Sequence, residues 1–291
     1  MATEPNGRVV VVGVDRSLSA RVALDHAARR IGTGGRLVVA TAVTPLADAL
    51  QRALPGFDDE RREHARELVA RLAADAGVET ETAVVEGSPA EALAELARER
   101  DADEIVVGSR GMGRFAAALG SVSHALLAHA GRPVVVVPRT AADHPRAAHG
   151  HGDCTVVVGY DGSEPSRAAL EYAAKRSCRE GRIVAVHAFQ PAPDWLGSPQ
   201  YQQTLDAHQS AGRELLEALE ADPPANVQLS TSLIEGPPAR AIVAAADARE
   251  ADEIVIGSRG FGRLRGVLGS VSHAVLHEAD RPVVVIPADA L

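Results

Sequence analysis

The segment Ile105–Val137, IVVGSRGMGRFAAALGSVSHALLAHAGRPVVVV, decides the fold of this chain. Its pattern predicts a buried strand, a glycine-rich loop, a helix and a second buried strand. A near copy, IVIGSRGFGRLRGVLGSVSHAVLHEADRPVVVI, occupies Ile254–Ile286. Ala102–Pro138 and Ala251–Pro287 share 26 identities in 37 aligned positions. A repeat of this length indicates a duplicated domain rather than a solenoid unit.

The rest of each half repeats in the same order. The β-branched run Arg8–Val14 predicts a buried strand, and Ser17 or Ser19 can cap the helix that follows and stops at Gly32. The half-polar run Val78–Val85 predicts an edge strand. Each half alternates five strand signals with four helix signals, which predicts an α/β fold with a doubly wound parallel sheet.

Domain boundaries follow from the repeat. We predict a first domain over residues 1–140, a linker over 141–153 and a second domain over 154–291. The linker is rich in Pro, Gly, Ala and His and has no periodicity. Its histidines, His144, His149 and His151, match no helix face or finger spacing, so a plain linker is favoured over a weak metal site.

Composition narrows the class of protein. Hydrophobic residues make up 46% and aromatic residues 3%, so the cores must consist of Val, Ile, Leu and Ala. A net charge of -9 argues against binding to nucleic acid or an anionic membrane. Two cysteines, Cys154 and Cys178, cannot form a disulfide framework, and the first residues contain no recognisable export signal. We therefore expect a cytoplasmic protein without a membrane span.

A strand order of 3-2-1-4-5 would bring the carboxyl ends of the first and fourth strands to one crevice, where ligands bind in open α/β sheets. In the first half these ends carry Gly13-Val14-Asp15 and Gly108-Ser109-Arg110-Gly111. The second half repeats them as Gly159-Tyr160-Asp161 and Gly257-Ser258-Arg259-Gly260.

The glycine-rich loop has the chemistry of an anion site. Gly108 and Gly111 permit positive φ and a close approach of backbone amides to a ligand. The helix that begins at Gly120-Ser121 has free N–H groups and a partial positive charge at its start, which favour phosphate. Ser121 and Ser123 add hydroxyl groups, and Arg110 adds a permanent positive charge. The alternative is a turn that needs glycines before a serine-capped helix. Retention of four loop glycines in both halves favours the anion site.

Other nucleotide motifs fit poorly. A Walker A loop requires Lys beside Ser or Thr after its last glycine, and a dinucleotide fold requires GxGxxG after the first strand. Neither is present. Asp15 and Asp161 could instead accept hydrogen bonds from ribose or the adenine amino group, although they could also simply cap a helix.

Catalytic patterns are weak. Ser121, Ser123 and His124 lie close together, but no GxSxG elbow accompanies them and His124 is expected to point along the helix, away from the phosphate end. The pairs Asp103-Glu104 and Asp252-Glu253 precede the fourth strand of each half, at the opposite end of the sheet. Adjacent strand residues also point to opposite faces. We therefore predict no catalytic residues.

VVVGVDxS at the first strand and VVGSRGxGRxxxxLGSVSHxLLxxAxRPVVVVP at the end resemble the universal stress protein family, here in tandem. The resemblance covers nearly the whole chain outside the linker. It implies two tandem doubly wound domains of the adenine nucleotide alpha hydrolase type. Each would have a five-stranded parallel sheet of order 3-2-1-4-5 with helices on both faces. It also implies Mg-ATP in each domain, with Mg held mainly through the phosphates and no protein metal site.

The resemblance further implies a regulatory role in stress, dormancy or growth, little or no ATPase activity, and dimerisation through the last strand. The apolar last strands, VVVV and VVVI, could pair with each other or with another chain. The sequence does not identify a regulatory protein partner.

The ATP-binding branch of the family has the motif G-x2-G-x9-G-[ST]. Gly108, Gly111, Gly120 and Ser121 match it, as do their second-half counterparts. The resemblance assigns an adenosine contact to Asp15 and Asp161, and a place beside adenine to Ala42 and Ala188. The predicted nucleotide-binding residues are Gly13, Asp15, Ala42, Gly108, Arg110, Gly111, Gly113, Gly120, Ser121, Val122, Ser123, Gly159, Asp161, Ala188, Gly257, Arg259, Gly260, Gly262, Gly269, Ser270, Val271 and Ser272.

Both halves depart from this motif, because eight residues instead of nine separate Gly111 from Gly120 and Gly260 from Gly269. Gly113 and Gly262 give the shorter loop freedom to span the phosphates. The leading hypothesis is an ATP-binding regulator. The alternatives are a scaffold that binds no nucleotide and an enzyme of adenylate chemistry, for which no catalytic group is evident.

Overall fold

The computed structural model describes residues 7–32, 34–109, 119–143, 154–176, 181–190, 199–225, 227–258 and 268–287. The chain divides into two compact units, Met1–Ala142 and Asp143–Leu291. Arg139–Asp143, at the start of the predicted linker, forms a short 3-10 helix with Ala141 buried. The linker histidines lie outside the described residues. The domain limits at residues 140 and 154 stay a prediction.

The first unit alternates strands and helices from its first described strand onward. Its elements are β1 Val9–Gly13, α1 Leu18–Arg30, β2 Arg36–Val43, α2 Asp48–Ala53, α3 Phe57–Asp75, β3 Thr80–Glu86, α4 Pro89–Glu99, β4 Glu104–Gly108, α5 Ser121–His129 and β5 Val134–Val137.

The strands of this unit form a parallel sheet of order β3-β2-β1-β4-β5, which confirms the predicted topology. Val10, Val11 and Val12 of β1 are fully buried. A continuous apolar run of this kind is expected in a parallel strand that is covered on both faces. Strand β3 pairs with β2 and is only partly buried, as predicted for an edge strand.

Helices cover both faces of this sheet. Helix α1 packs on β1, β4 and β5, α3 packs on β2 and β3, and α4 packs on the central strands and on α5. Right-handed connections place α1 and α3 on one face and α4 and α5 on the other.

Helix ends agree with the predicted caps in part. Ser17 is the N-cap of α1, and its hydroxyl accepts a hydrogen bond from the Ala20 N–H. Ser88 is the N-cap of α4, but its side chain makes no capping hydrogen bond, although a capping box between Ser88 and Glu91 is expected from their spacing. The polar segment before α3 contains the additional short helix α2, which Gly56 separates from α3 by a left-handed turn with φ of 84°.

The second unit repeats this architecture. Its elements are β6 Thr155–Gly159, α6 Glu164–Arg176, β7 Arg182–Phe189, α7 Pro199–Ala221, β8 Gln228–Glu235, α8 Pro238–Ala248, β9 Glu253–Gly257, α9 Ser270–Glu278 and β10 Val283–Ile286. The strand order is β8-β7-β6-β9-β10, and every described pairing is parallel. The two units therefore have the same doubly wound α/β fold, as the duplication predicts.

Candidate functional site

The carboxyl ends of β1 and β4 lie side by side in the first unit. Gly13 pairs with Val107, so Gly108 follows immediately on the neighbouring strand. The chain then continues to Asp15 from β1 and to Ser109 from β4. The strand order reverses at this point, which is where the sequence predicts a ligand crevice.

Asp15 is half-buried and shapes the turn between β1 and α1. Its Oδ1 accepts a hydrogen bond of 2.9 Å from the Ser17 N–H. Because Ser17 itself caps α1, Asp15 does not serve as the helix cap. Within the described part of the chain, Asp15 Oδ2 accepts no hydrogen bond, which leaves a carboxylate oxygen for an external donor.

The second unit repeats this turn at Asp161, which is also half-buried. Its Oδ1 accepts hydrogen bonds from the Ser163 N–H at 2.9 Å and the Ser163 hydroxyl at 2.5 Å. The two aspartates therefore have the same orientation relative to their own first strands, held by local hydrogen bonds rather than by distant residues.

The strand-end glycines are needed for close packing. A Cβ on Gly108 would lie 2.8 Å from the carbonyl carbon of Ser19, in α1. A Cβ on Gly13 would lie 2.7 Å from Leu93 Cδ1, in α4. Gly108 does not use the positive φ that its residue type permits, since its backbone lies outside the left-handed region. Its absent side chain instead lets α1 begin directly against the end of β4.

The corresponding glycines of the second unit have the same role. A Cβ on Gly257 would lie 2.8 Å from the Pro165 carbonyl carbon, and one on Gly159 would lie 2.9 Å from Ile242 Cδ1. The repeat thus retains glycine where a helix backbone or side chain occupies the space of a Cβ.

Two hydrogen bonds close the base of the glycine-rich loop in the first unit. The Gly120 N–H donates to the Ser109 carbonyl at 2.8 Å, and the Ser123 hydroxyl donates to the Gly108 carbonyl at 2.9 Å. The loop residues Arg110, Gly111 and Gly113 lie outside the described residues. Both ends of the loop are nevertheless fixed, so the start of α5 is held beside the end of β4.

The second unit closes its loop in the same way. The Gly269 N–H donates to the Ser258 carbonyl at 2.8 Å, and the Ser272 hydroxyl donates to the Gly257 carbonyl at 2.8 Å. Arg259, Gly260 and Gly262 lie outside the described residues. Ser123 and Ser272 are only 2% and 4% exposed, so their hydroxyl protons serve the loop base. From the sequence these serines are expected to be ligand donors, and this internal contact was not predicted.

The starts of α5 and α9 have free backbone donors. Gly120 is the N-cap of α5 in an extended conformation, and no side chain caps the helix. Gly269 is the N-cap of α9, likewise in an extended conformation and without a side-chain cap. Ser121 and Ser270 are exposed, while Val122 and Val271 are half-buried. The alternative of a helix capped by a serine side chain is therefore wrong. The N–H groups of the first turn have no partner within their helix.

Ala42 and Ala188 lie near the carboxyl ends of β2 and β7, next to β1 and β6 respectively. Both are half-buried. The surroundings differ between units, because Phe189 follows Ala188 and stacks on His208 of α7 with ring centroids 6.1 Å apart. In addition, His187 Nδ1 lies 2.9 Å from the Tyr160 carbonyl oxygen.

The acidic pairs lie at the amino ends of the strands, as predicted, and are structural. Asp103 Oδ2 accepts from the Val9 N–H at 2.8 Å. Glu104 is fully buried and forms ion pairs with Arg8 at 2.7 Å and Arg30 at 3.4 Å. Burial lowers the pKa of the neighbouring His26 well below 6.5, with a further lowering from Arg30. These ion pairs were not predicted from the sequence.

The described residues contain no group of three His, Cys, Asp or Glu side chains placed to hold a metal ion. In the same part of the chain, we find no helix with the length and apolar character needed to cross a membrane.

Comparison with known proteins identifies the family. The model of the universal stress protein family matches residues 7–138 and 155–287. The chain is 33% identical over 297 residues to a universal stress protein of Mycobacterium tuberculosis, covering 95% of each chain. It is 30% identical over 294 residues to one from Mycolicibacterium smegmatis, covering 95% of this chain and 96% of that protein.

The solved structures agree in fold. A universal stress protein from Archaeoglobus fulgidus is similar with a TM-score of 0.63 and 24% identity, covering 97% of this chain and 99% of that one. The two family matches correspond to the two repeats. The chain belongs to the universal stress protein family, as a member with two tandem domains.

Proposed function

We propose that this protein binds ATP at the carboxyl edge of the sheet in each unit and acts in the cytoplasm as a nucleotide-dependent regulator of stress response or growth. The observation that carries the proposal is the closed loop base. It holds an uncapped helix start beside the end of β4, the strand that neighbours the end of β1 before Asp15. The second unit closes its loop base in the same way, on the strand next to β6 and Asp161.

The start of α5 would bind the phosphates. Its free N–H groups and the exposed Ser121 hydroxyl are donors, and the helix dipole favours negative charge at this end. A donor set of this kind fits an anion and contains no carboxylate or imidazole that would hold a metal ion by itself. Mg would therefore be held mainly through the phosphates, whose charge it would neutralise. We assign Arg110, Gly111 and Gly113 to the same phosphate contact on the sequence motif.

The adenosine half would lie at β1 and β2. Asp15 Oδ2 is available to accept from a ribose hydroxyl or the adenine amino group, since Oδ1 is held by the Ser17 N–H. The half-buried Ala42 provides a small apolar surface on the adjoining strand. Asp161 and Ala188 have these roles in the second unit.

The ends of β1 and β4 favour binding over hydrolysis. In the described residues that end these strands, Asp15 is the only carboxylate, and its turn geometry fixes it beside α1. Fast phosphoryl transfer requires a residue that positions the attacking water. We therefore propose little or no ATPase activity, with ATP acting through its differential affinity for two conformations of the protein.

Two measurements on the purified full chain test the proposal. Chromatography of the supernatant after denaturation should reveal co-purified adenine nucleotide, and added Mg-ATP should raise the melting temperature. Ligand at a hundredfold excess over Kd stabilises a folded protein by about 2.7 kcal/mol. If neither effect appears, the scaffold without nucleotide becomes the better description.

We also propose a homodimer formed through a last strand, Val134–Val137 or Val283–Ile286, as the family resemblance implies for these apolar four-residue runs. Light scattering of the purified full chain would test this proposal. A wild-type mass equal to one chain would contradict it.

A further inference from the structure

The two units differ at the amino edge of the sheet, opposite to the proposed nucleotide site. In the first unit, Arg100 follows α4 and forms an ion pair with Glu81, Nη2 to Oε1, at 2.8 Å. A second carboxylate, Glu99, lies 3.6 Å from Arg100 Nη1. The guanidinium charge is therefore neutralised within the unit.

The second unit lacks both of these carboxylates. The repeat places Arg249 at the position of Arg100, Ser230 at that of Glu81 and Ala248 at that of Glu99. Arg249 donates from Nη1 to the Ala245 carbonyl at 3.3 Å, and it has no carboxylate partner among the described residues. Four of its five N–H donors are thus available.

Arg249 lines a cavity of about 350 Å³. Thr155, Arg182 and Gln228, the first residues of β6, β7 and β8, also line it, together with Ser230. The Arg182 side chain is exposed and forms no ion pair with a described residue. Its backbone N–H donates to the Cys154 carbonyl at 2.8 Å, which fixes the base of the side chain at the sheet edge.

The charge of this cavity is positive. Its lining contains two guanidinium groups and no carboxylate in the described part of the chain. The nearby Asp252 is not part of the lining, and its Oδ2 accepts from the Thr155 N–H at 2.7 Å. The first unit has Glu79 where the second has Gln228. Around this position the second unit therefore has neutral residues where the first has acidic ones.

We propose that this cavity binds a small phosphate-bearing anion, at a site distinct from the nucleotide site of the same unit. Guanidinium groups donate paired hydrogen bonds to phosphate oxygens, and two that have no carboxylate partner among the described residues line this cavity. The Gln228 amide adds a neutral donor, and the volume lies at the small end of the range for small-molecule sites. The proposal does not depend on ATP binding at the opposite edge.

The direct test titrates the full chain with inorganic phosphate and follows the arginine side-chain Nε–H signals by NMR. The key variant is Ser230→Glu, which restores the carboxylate found at Glu81 in the first unit. Its matched control, Ser230→Gln, is similar in size and uncharged. We expect wild type and Ser230→Gln to bind equally, and Ser230→Glu to bind at least about tenfold more weakly.

Substitution of the two cavity arginines is an independent test of the proposal. Arg249→Gln and Arg182→Gln should each weaken phosphate binding about 10- to 100-fold, the range for a hydrogen bond to a charged group. Arg100→Gln in the first unit should leave binding unchanged. Both cavity arginines are exposed, so these variants should fold normally.

Three results would overturn the proposal. The first is equal affinity in wild type, Ser230→Glu and Arg249→Gln. The second is binding that disappears in the Gly120→Asp plus Gly269→Asp double variant but persists in Arg249→Gln, which would assign phosphate to the helix starts. The third is that wild type shows no binding at about 10 mM phosphate, a concentration at which even a weak specific site would be occupied.

Discussion

The Ser123 hydroxyl donates a hydrogen bond of 2.9 Å to the carbonyl oxygen of Gly108, and so joins the first turn of α5 to the end of β4. Ser123 is 2% exposed. Removal of the hydroxyl would leave the part-buried Gly108 carbonyl with one partner fewer. This contact links stability to function, because it fixes the helix start that would bind phosphate.

Ser123→Ala should therefore lower the free energy of unfolding by about 1–3 kcal/mol and weaken ATP binding to the first unit. Ser121→Ala, two residues earlier and exposed, should change the unfolding free energy by less than about 0.5 kcal/mol. Calorimetry of the full chain with and without Mg-ATP would measure both effects. Equal stability of the two variants would show that the buried hydrogen bond has little energetic weight.

The two strand-end glycines should differ in their tolerance of alanine. At Gly108 a Cβ meets the Ser19 backbone, whereas at Gly13 it meets the terminal methyl of Leu93. A side-chain end can rotate away more easily than a helix backbone can move. Gly108→Ala should cost about 1–3 kcal/mol, and Gly13→Ala clearly less.

The second unit provides a replicate of this comparison. Gly257 faces the Pro165 backbone and Gly159 faces the Ile242 side-chain end. Gly257→Ala should therefore be more destabilising than Gly159→Ala in urea denaturation. The reverse order in both units would indicate that the helix starts can shift freely.

The sequence predicted the fold because its main determinants are local. The apolar runs, such as Val134–Val137, and the duplication specify buried parallel strands without any knowledge of distant contacts. The role of Gly108 could not be predicted in this way. A loop glycine can provide backbone freedom or space, and only the fold shows that Ser19, far away in the chain, occupies the space of its Cβ.

The positions of the candidate site residues in the fold were predicted for the same reason, and their contact with a nucleotide stays a prediction. Strand-end positions identified Asp15, but hydrogen-bond partners depend on side-chain directions that sequence spacing does not give. Ser123 was thus expected to face the ligand, although it faces Gly108. Likewise, Glu104 was placed correctly at the opposite sheet end, while its ion pairs with Arg8 and Arg30 required the packed structure.

His26 should make stability depend on pH. Burial lowers the pKa of folded His26 well below 6.5, and Arg30 acts in the same direction while Glu104 opposes it. Below about pH 6.5 the unfolded chain therefore binds a proton that the folded chain does not. The stabilisation is fully present above that pH and is lost as the pH falls toward the folded pKa, by up to about 1.4 kcal/mol per pH unit.

His26→Gln should reduce this part of the slope. His129→Gln, at an exposed position in α5, is the control and should retain the wild-type slope. Denaturation series between about pH 5 and about pH 7 would compare the three proteins. An unchanged slope in His26→Gln would show that other groups determine the acid sensitivity.

Asp15 should contribute to nucleotide affinity and much less to folding. Asp15→Asn can keep the Oδ1 acceptor for the Ser17 N–H, but it loses the charge and the second carboxylate oxygen. We expect unfolding free energy to change by less than about 1 kcal/mol and ATP affinity in the first unit to fall about tenfold. Calorimetric titration should then resolve one weakened and one unchanged site.

The matching change in the second unit, Asp161→Asn, should weaken the other site. Asp25→Asn, on the exposed face of α1, controls for loss of one negative charge. If Asp15→Asn and Asp25→Asn have the same affinity as wild type, Asp15 has only the structural role that its contact with Ser17 indicates.

A charge placed at the helix start gives the sharpest test of the phosphate assignment. Asp and Asn are about equally good N-cap residues, so either one at position 120 should stabilise α5, which has glycine there. They differ in charge. Gly120→Asp should remove ATP from the first unit, whereas Gly120→Asn should retain most of the binding, because only the aspartate repels phosphate and competes for the same N–H groups.

The second unit reports independently through Gly269→Asp and Gly269→Asn. Each aspartate variant should halve the nucleotide content of the purified chain, and the double aspartate variant should abolish it. Because the caps also favour helix formation, the aspartate variants should be at least as stable as nucleotide-free wild type, which separates electrostatic exclusion from unfolding. Full occupancy in both aspartate variants would mean that phosphate does not contact the starts of α5 and α9.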